Sequence, residues 1–395
     1  MEGALGRRKF LLGSGIALCV SALEGCSTVD RRRAPVAAPV QLPPMMVSTG
    51  RITNITVCTR PFRAAGPRLD VEQIGQQTIV HNYGHGGSGW SLAWGSSAIA
   101  VRNAMAATTG DIAIIGCGIL GLTSAILAQR AGLRVTIYAK DRPPNVRSSL
   151  ASGLWTPDSR ICLEDNATPE FKRTWEEMCR TSFAAHQNYL GCPGAQVEQI
   201  DYYSLSDDRQ SVQFTTPLIP APRFAGLQRE LVPDLLPRFQ NLPRDRNPFP
   251  TARAVKSSRM MFNLASYMDL LMSDFLGSGG TIEARQFDNP SEFSQLPQQT
   301  LINATGYGAR ALFGDETITP VRGQLARLNP KPELHYSAVY RGVLLIPRRD
   351  GLAVQSLGPN DGFGFGDDST EPNQIEAMQA VQTFAGLSAR MRQVA

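Results

Sequence analysis

The string "DIAIIGCGILG", Asp111 to Gly121, most constrains what this 395-residue chain can become. Ile112 to Ile115 form a short apolar run, the pattern of a strand covered on both faces. Gly116-x-Gly118-x-x-Gly121 follows at once. "ILGLTSAILAQRAG" then reads as a helix stopped by Gly132, and "LRVTIYAKD" as the next strand. This is a β-α-β unit of roughly 30 residues. Its glycines allow a tight turn and a close backbone approach to a pyrophosphate, and free amides at the helix start favour negative charge. The motif predicts a dinucleotide cradled by Gly116, Gly118, Ile119, Leu120 and Gly121. The place of the ribose-binding acid falls on Ala139. Lys140 and Asp141 come next, so Asp141 is the candidate for the ribose and Lys140 for a phosphate.

A second buried strand ends in "LINATG", Leu301 to Gly306. A strand returning to the cofactor through Ala-Thr-Gly favours FAD over NAD and adds Thr305 and Gly306 to the site. Elsewhere "RITNITV" reads as a strand and "TRPFRAAGPRLD" as a proline-broken, arginine-rich loop. "SLAWGSSAIAVRNAMAA" reads as a helix, and so do parts of 164–190 and "FNLASYMDLLMSDFLGSGG". "GTIEARQF" is a strand, "YSAVYRGVLLIPRRDG" a hairpin-like pair, and a long helix follows an Asn373–Glu376 capping region.

The net charge is +5. Six basic against three acidic residues in the first 33 leave +2 for everything else, too little for a nucleic-acid surface. Five cysteines lie beyond residue 26, irregularly spaced, with no CxxC pattern; at most one pair, Cys179 with Cys192, is suggested. The four histidines, His81, His85, His186 and His335, are too scattered to propose a metal site.

"GRRKFLLGSGIALCVSALEGC" pairs Arg7-Arg8 with an apolar run from Phe10 to Leu23, too short to span a bilayer. A basic head, an apolar middle and small residues mark an export signal. It resembles a twin-arginine signal, and "LEGC" resembles a lipoprotein cleavage box that would place lipid on Cys26. The expected location is the periplasmic side or cell envelope, with the polar, proline-rich stretch after Cys26 as a tether.

"TIVHNYGHGGSGWSLAWG", Thr78 to Gly95, carries five glycines. With "RPFRAAGPRLD" before it, it closely resembles the end of the D-amino-acid oxidase family. "IIGCGILGLTSAILAQRAG", "YAKDRPPNVRSSLASGLWTP" and "NATGYGARALFGDETITPVRGQ" resemble that family's beginning and middle. The terminal segment stands first here, so the order looks circularly permuted. Chain ends usually lie close together at a surface, so moving the break costs little.

The resemblance implies FAD, with backbone of Gly86, Gly87, Ser88, Gly89, Trp90 and Ser91 at its redox end. Arg147, Ser148 and Ser149 would bond the pyrophosphate, with Gly153 and Leu154 in the covering segment before Trp155. It implies Arg60 as the clamp for a substrate carboxylate, because a guanidinium fork bonds both oxygens. In the hairpin, Tyr340 matches the first of two family tyrosines, and Leu344 stands at the second, making that wall more apolar. The implied chemistry is oxidative deamination of D-amino acids by hydride transfer to flavin N5, with oxygen reduced to hydrogen peroxide. Two alternatives stay open: a membrane-tethered dehydrogenase using a quinone or protein acceptor, and a non-catalytic FAD-binding protein. Side-chain preference, enantiomer and oligomeric state are left undetermined.

The expected fold class is α/β: a Rossmann-like FAD-binding domain plus a mixed-sheet α+β substrate domain. The expected division is export signal and tether 1–33, tether end and substrate segment 34–74, and FAD-binding domain 75–195. Residues 196–295 would be mainly substrate domain, 296–325 the FAD-binding return, and 326–395 substrate domain.

Overall fold

The computed structural model describes residues 41–108, 110–207 and 221–394. The stretch expected to be an export signal, with Cys26, lies outside the described residues. In chain order the elements begin with β1 (Ile52–Arg63), β2 (Val71–Ile74), β3 (Gln77–His81) and α1 (Gly89–Met105). Next come β4 (Asp111–Ile115), α2 (Ile119–Arg130), β5 (Arg134–Ala139), α3 (Pro169–Gln187) and β6 (Val197–Ser206). Then follow α4 (Gln228–Leu231), β7 (Gln240–Leu242), β8 (Arg253–Phe262), α5 (Leu264–Gly277), β9 (Thr281–Ala284) and β10 (Thr300–Asn303). The chain closes with α6 (Ala309–Leu312), β11 (Ile318–Leu328), β12 (Tyr336–Tyr340), β13 (Val343–Arg348), β14 (Gly351–Ser356) and α7 (Gln374–Val394).

Two sheets divide the α/β molecule. One has six strands in the order β2-β3-β10-β4-β5-β9. All its pairs are parallel except β2 with β3. Its strands are apolar because both faces are covered. Helices α1, α2 and α5 bury one face, and Phe293, Leu296 and Leu312 cover the other. This is the Rossmann-like sheet. The second sheet is mixed, with eight strands in the order β1-β11-β14-β13-β12-β6-β8-β7, and only β12 with β6 parallel. Helix α7 packs Ala377, Val381, Phe384 and Leu387 onto one of its faces. The opposite face carries Leu325, Leu344, Ile346 and Ala353.

One expectation needs correcting. The "TRPFR" segment is no loop: β1 runs unbroken through Arg60 and Pro61 to Arg63. A proline is tolerated there because β1 is an edge strand, and Pro61 stands opposite Pro320, which has no N–H to offer either. Residues 196–295 are shared between the sheets. Strands β6 to β8 belong to the mixed sheet, but α5 packs on α2 and β9 pairs with β5.

The two ends of the described chain meet. The amide of Met46 donates to Ser388 Oγ near the end of α7 (3.3 Å), and Tyr336 Oη donates to the Pro43 carbonyl (3.0 Å). At the start of α7, Asn373 Oδ1 accepts the Glu376 amide (3.1 Å), as a cap should. All five described cysteines are free: Cys179 is buried in the core, and Cys192 bonds the Asn188 carbonyl. Among the described residues no cluster of metal-binding side chains occurs, and no helix is long and apolar enough to cross a membrane.

Candidate active site

A cavity of about 850 Å³ opens where β4, β5, β9 and β10 end and where β1, β11 and β14 of the mixed sheet pass. Cofactors bind beyond the carboxyl ends of parallel strands in such sheets. The glycine turn after β4 forms its floor. Gly116 has φ +107°, which an L side chain rarely adopts. A Cβ on Gly121 would stand 2.0 Å from the Gly116 carbonyl oxygen, and one on Gly116 would stand 2.7 Å from that of Ala304. Gly116, Gly118, Ile119 and Leu120 line the cavity; Gly121 lies behind them and lets the turn close.

The two glycine-rich segments are joined through one serine. Ser148 Oγ accepts the Ile119 amide at the start of α2 (3.1 Å), and its carbonyl accepts Trp90 Nε1 from α1 (2.9 Å). Trp90 is itself stacked on Phe262. The starts of α1 and α2, Gly89 with Trp90 and Ile119 with Leu120, border one cavity.

The loop before α1 works differently from the expectation. Gly86 and Gly87 border the cavity, but their amides are taken by the carbonyls of Pro61 (2.8 Å) and Ser159 (2.9 Å). The Ser88 amide bonds the His85 carbonyl. The glycines serve close packing instead: Cβ atoms on Gly86 and Gly87 would stand 1.9 Å from the Arg160 carbonyl oxygen and 2.5 Å from Ser159 Oγ. Because the first intrahelical bond is made by Leu92, the amides of Gly89 and Trp90 are the ones a helix start leaves for a ligand.

Several expected cofactor residues support the wall without lining it. Ser88 Oγ donates to the Ser159 carbonyl (3.1 Å), and Ser91 Oγ accepts the Thr156 amide (2.8 Å). Ser149 Oγ contacts Met268 Sδ (3.4 Å). Gly153 takes φ +89° so that its carbonyl can accept the Phe262 amide (2.6 Å), and Leu154 is buried among Ile200, Met261 and Leu344. Ala139, Lys140, Asp141, Arg147, Thr305 and Gly306 do line the cavity. Arg147 lies over the Tyr307 ring (5.1 Å) and has no acidic partner among the described residues. Lys140 and Asp141 stand 4.0 Å apart, both exposed.

Arg60 projects from β1 toward the same space. Its guanidinium sits over Gly323, where a Cβ would be 2.3 Å from Nη2. Among the described residues its one hydrogen bond is from Nη1 to the Arg322 carbonyl (3.1 Å), and no carboxylate pairs with it. Burial pulls its pKa below the usual arginine range, the mark of a cation short of a counter-charge. Burial also pushes the neighbouring Cys58 thiol up, against the pull of Arg60 and Arg147. His85 borders the cavity with both ring nitrogens unpartnered, and burial lowers it to about 3, so it is neutral. His81 is a staple between strands: Nε2 meets Glu72 Oε2 (2.9 Å) and Nδ1 meets Asn303 Nδ2 (3.1 Å).

Tyr340 must be withdrawn from the site. Side chains alternate along β12, and Tyr336, Ala338 and Tyr340 all face α7, away from the cavity. The Tyr340 hydroxyl donates to Asp207 Oδ2 (2.5 Å) and accepts from Arg390 Nη2 (2.7 Å). Leu344 lies on the cavity-side face but belongs to the apolar cluster beneath, not to the lining. Cys58, Gly323, Gln355 and the stretch Arg285–Asp288 line the cavity and went unpredicted. Cys58 was recoverable from the sequence, since it stands two residues before Arg60 on one strand.

Bare glycine turns at strand ends, two helix starts and a long cavity define a dinucleotide-binding oxidoreductase, and the residues present fit FAD. The model of the FAD dependent oxidoreductase (DAO) family matches residues 111–393, and the chain belongs to that family. FAD is its cofactor. The chain is 29% identical over 222 residues to a D-amino-acid oxidase of Dictyostelium discoideum, covering 54% of this chain and 56% of that enzyme. It is 27% identical over 256 residues to a D-amino acid oxidase of Dugesia ryukyuensis, covering 62% of this chain and 68% of that one. A Streptomyces coelicolor D-amino-acid oxidase is 23% identical over 290 residues, with 70% and 78% covered. Among solved structures, an L-amino acid deaminase from Proteus vulgaris with its insertion deleted aligns at TM-score 0.44 and 14% identity, over 72% of this chain and 75% of that one.

Proposed function

We propose that the chain oxidises free D-amino acids, with Arg60 holding the substrate carboxylate. The observation that carries this reading is a half-buried guanidinium with one backbone bond and, among the described residues, no acid, open to the cofactor cavity. A carboxylate supplies the missing counter-charge and two parallel hydrogen bonds. FAD, when bound, accepts the hydride equivalent lost from the substrate α-carbon. The chain's share of catalysis is binding and orientation. Arg60 fixes one end of the substrate, and the wall of Leu325 and its neighbours keeps water out. The substrate amine must be neutral when the C–H bond breaks; positive charge then builds on its nitrogen as hydride leaves, and neutral His85 adds no positive charge to oppose it. The 2-imino product then hydrolyses in water to the 2-oxo acid.

The test is anaerobic mixing of the FAD-loaded protein with D- and L-amino acids, followed by flavin absorbance. D-amino acids should bleach the flavin and the L-forms should not. Arg60→Ala should lower kcat/KM by about 10² to 10³, the loss of a bidentate charged contact. Bleaching by amines without a carboxylate, or unchanged kinetics in Arg60→Ala, would overturn the reading. Peroxide release in air assigns oxygen as the acceptor; flavin that stays reduced in air assigns a quinone or protein acceptor.

The family order is read here as circularly permuted. Support comes from the contact of the Met46 region with the end of α7 and from a family match that starts at β4. A gene rearranged to start at Asp111 and to join Val394 to Gly50 should give FAD-loaded protein with the same flavin spectrum. Rearranged protein that stays colourless while the native order loads FAD would refute it.

A further inference from the structure

We propose that Gln355 selects the substrate side chain, favouring amino acids that carry an amide or hydroxyl group; this rests on the Arg60 reading above. Gln355 is 8% exposed and lines the cavity. Its carboxamide offers two donors and an acceptor, and none of them is bonded to any described residue. Its neighbours across the sheet are apolar. Leu344 stands directly across from it on β13, and Leu345 to Ile346 continue that strand. On β11, continuing the register one residue beyond the Ala326–Val354 pair sets Leu325 beside it. Leu325, Leu344 and Ile346 belong to one buried apolar cluster. Its carboxamide opens onto the cavity and is not among the buried unpartnered polar atoms, so a ligand there can take its donors and acceptor in place of water.

Its position relative to Arg60 sets the reach of that ligand. Gly323, under the Arg60 guanidinium, and Gln355 are diagonal cross-strand neighbours by the same register, about 7–8 Å apart at Cα. An amino acid with its carboxylate on Arg60 and a polar group two or three bonds beyond its α-carbon spans that gap. Leu344, across from it on β13, backs that wall with apolar surface from the cluster beneath. Gln355 therefore stands as the polar group of that wall, and its preference is for substrates of the asparagine, glutamine or serine kind.

The test uses FAD-loaded protein and two carboxylates that cannot be oxidised at an α-amine. These are succinamate and its apolar isostere 4-methylpentanoate, titrated by their perturbation of the flavin spectrum. Native protein should bind succinamate more tightly. Gln355→Leu should weaken succinamate by about tenfold and leave 4-methylpentanoate unchanged or tighter. Gln355→Met, unbranched, repeats the test should leucine crowd the wall and prevent folding. Equal changes for both ligands, or none for either, would overturn the assignment of Gln355 alone. No perturbation by either ligand in native, FAD-loaded protein would sink the Arg60 reading together with it.

Discussion

The floor of the cavity and its wall are built from different materials. The floor, Gly116 to Gly121, is backbone: what matters there is the absence of a side chain at three of six consecutive positions, Gly116, Gly118 and Gly121. The wall is side chains, and its members Cys58, Arg60, Leu325 and Gln355 come from three strands far apart in sequence. A site of the first kind is encoded locally, because a missing Cβ has the same meaning whatever packs around it later. A site of the second kind depends on which face of a strand meets the cavity, and a shift of one residue reverses every member.

The sharpest way to break this contrast is to add a single carbon at two glycines. Gly121 has no room, with the Gly116 carbonyl oxygen 2.0 Å from the Cβ site. That neighbour is backbone and cannot step aside. Gly121→Ala should cost on the order of 3 kcal/mol at the turn. That corresponds to roughly 100-fold weaker FAD binding, read as a flavin-to-protein ratio well below that of native protein. Gly89 is the control. Its added Cβ meets nothing nearer than His85 Cβ at 3.9 Å, and it sits in the first turn of α1. Gly89→Ala should keep FAD binding close to native. Equal losses at the two positions would mean that the glycines are needed for a common reason other than space.

The same contrast explains what was legible in the sequence. The strand–turn–helix at Asp111 to Arg130, the return turn at Thr305 and the hairpin turning at Arg341-Gly342 all follow from local pattern. So did the placing of Arg60, through the resemblance of its short segment. What local pattern could not supply was the opposition of Pro61 and Pro320, which turned an expected loop into an edge strand. Nor could it show that the Gly86 and Gly87 amides would be spent on Pro61 and Ser159. Both depend on pairing between distant segments. Gly323 was visible in "VRGQ" without a task, because its task is to leave space for the guanidinium of Arg60, 263 positions earlier.

Tyr340 is the case where resemblance and strand geometry disagree, and its smaller effect is the finer test. Four residues from Leu344 in sequence, it would share a face with it on a continuous strand. The tight turn at Arg341-Gly342 intervenes, so Leu344 lies opposite Val339 and Tyr340 opposite Val343, on the other face. The hydroxyl is already committed to Asp207 and Arg390. Tyr340→Phe removes those two bonds, but Asp207 keeps its ion pair with Arg341 (3.0 Å), and the phenyl ring still packs on Phe384. The net loss should be about 1–2 kcal/mol. In a chain of this size that lowers Tm by a few degrees at most. Because the side chain faces α7, kcat/KM for any D-amino acid that bleaches the flavin should change less than about threefold, well under 1 kcal/mol in the transition state. A large fall in kcat/KM at unchanged Tm would return the hydroxyl to the substrate, and the strand-face argument that places Gln355 in the wall would fall with it.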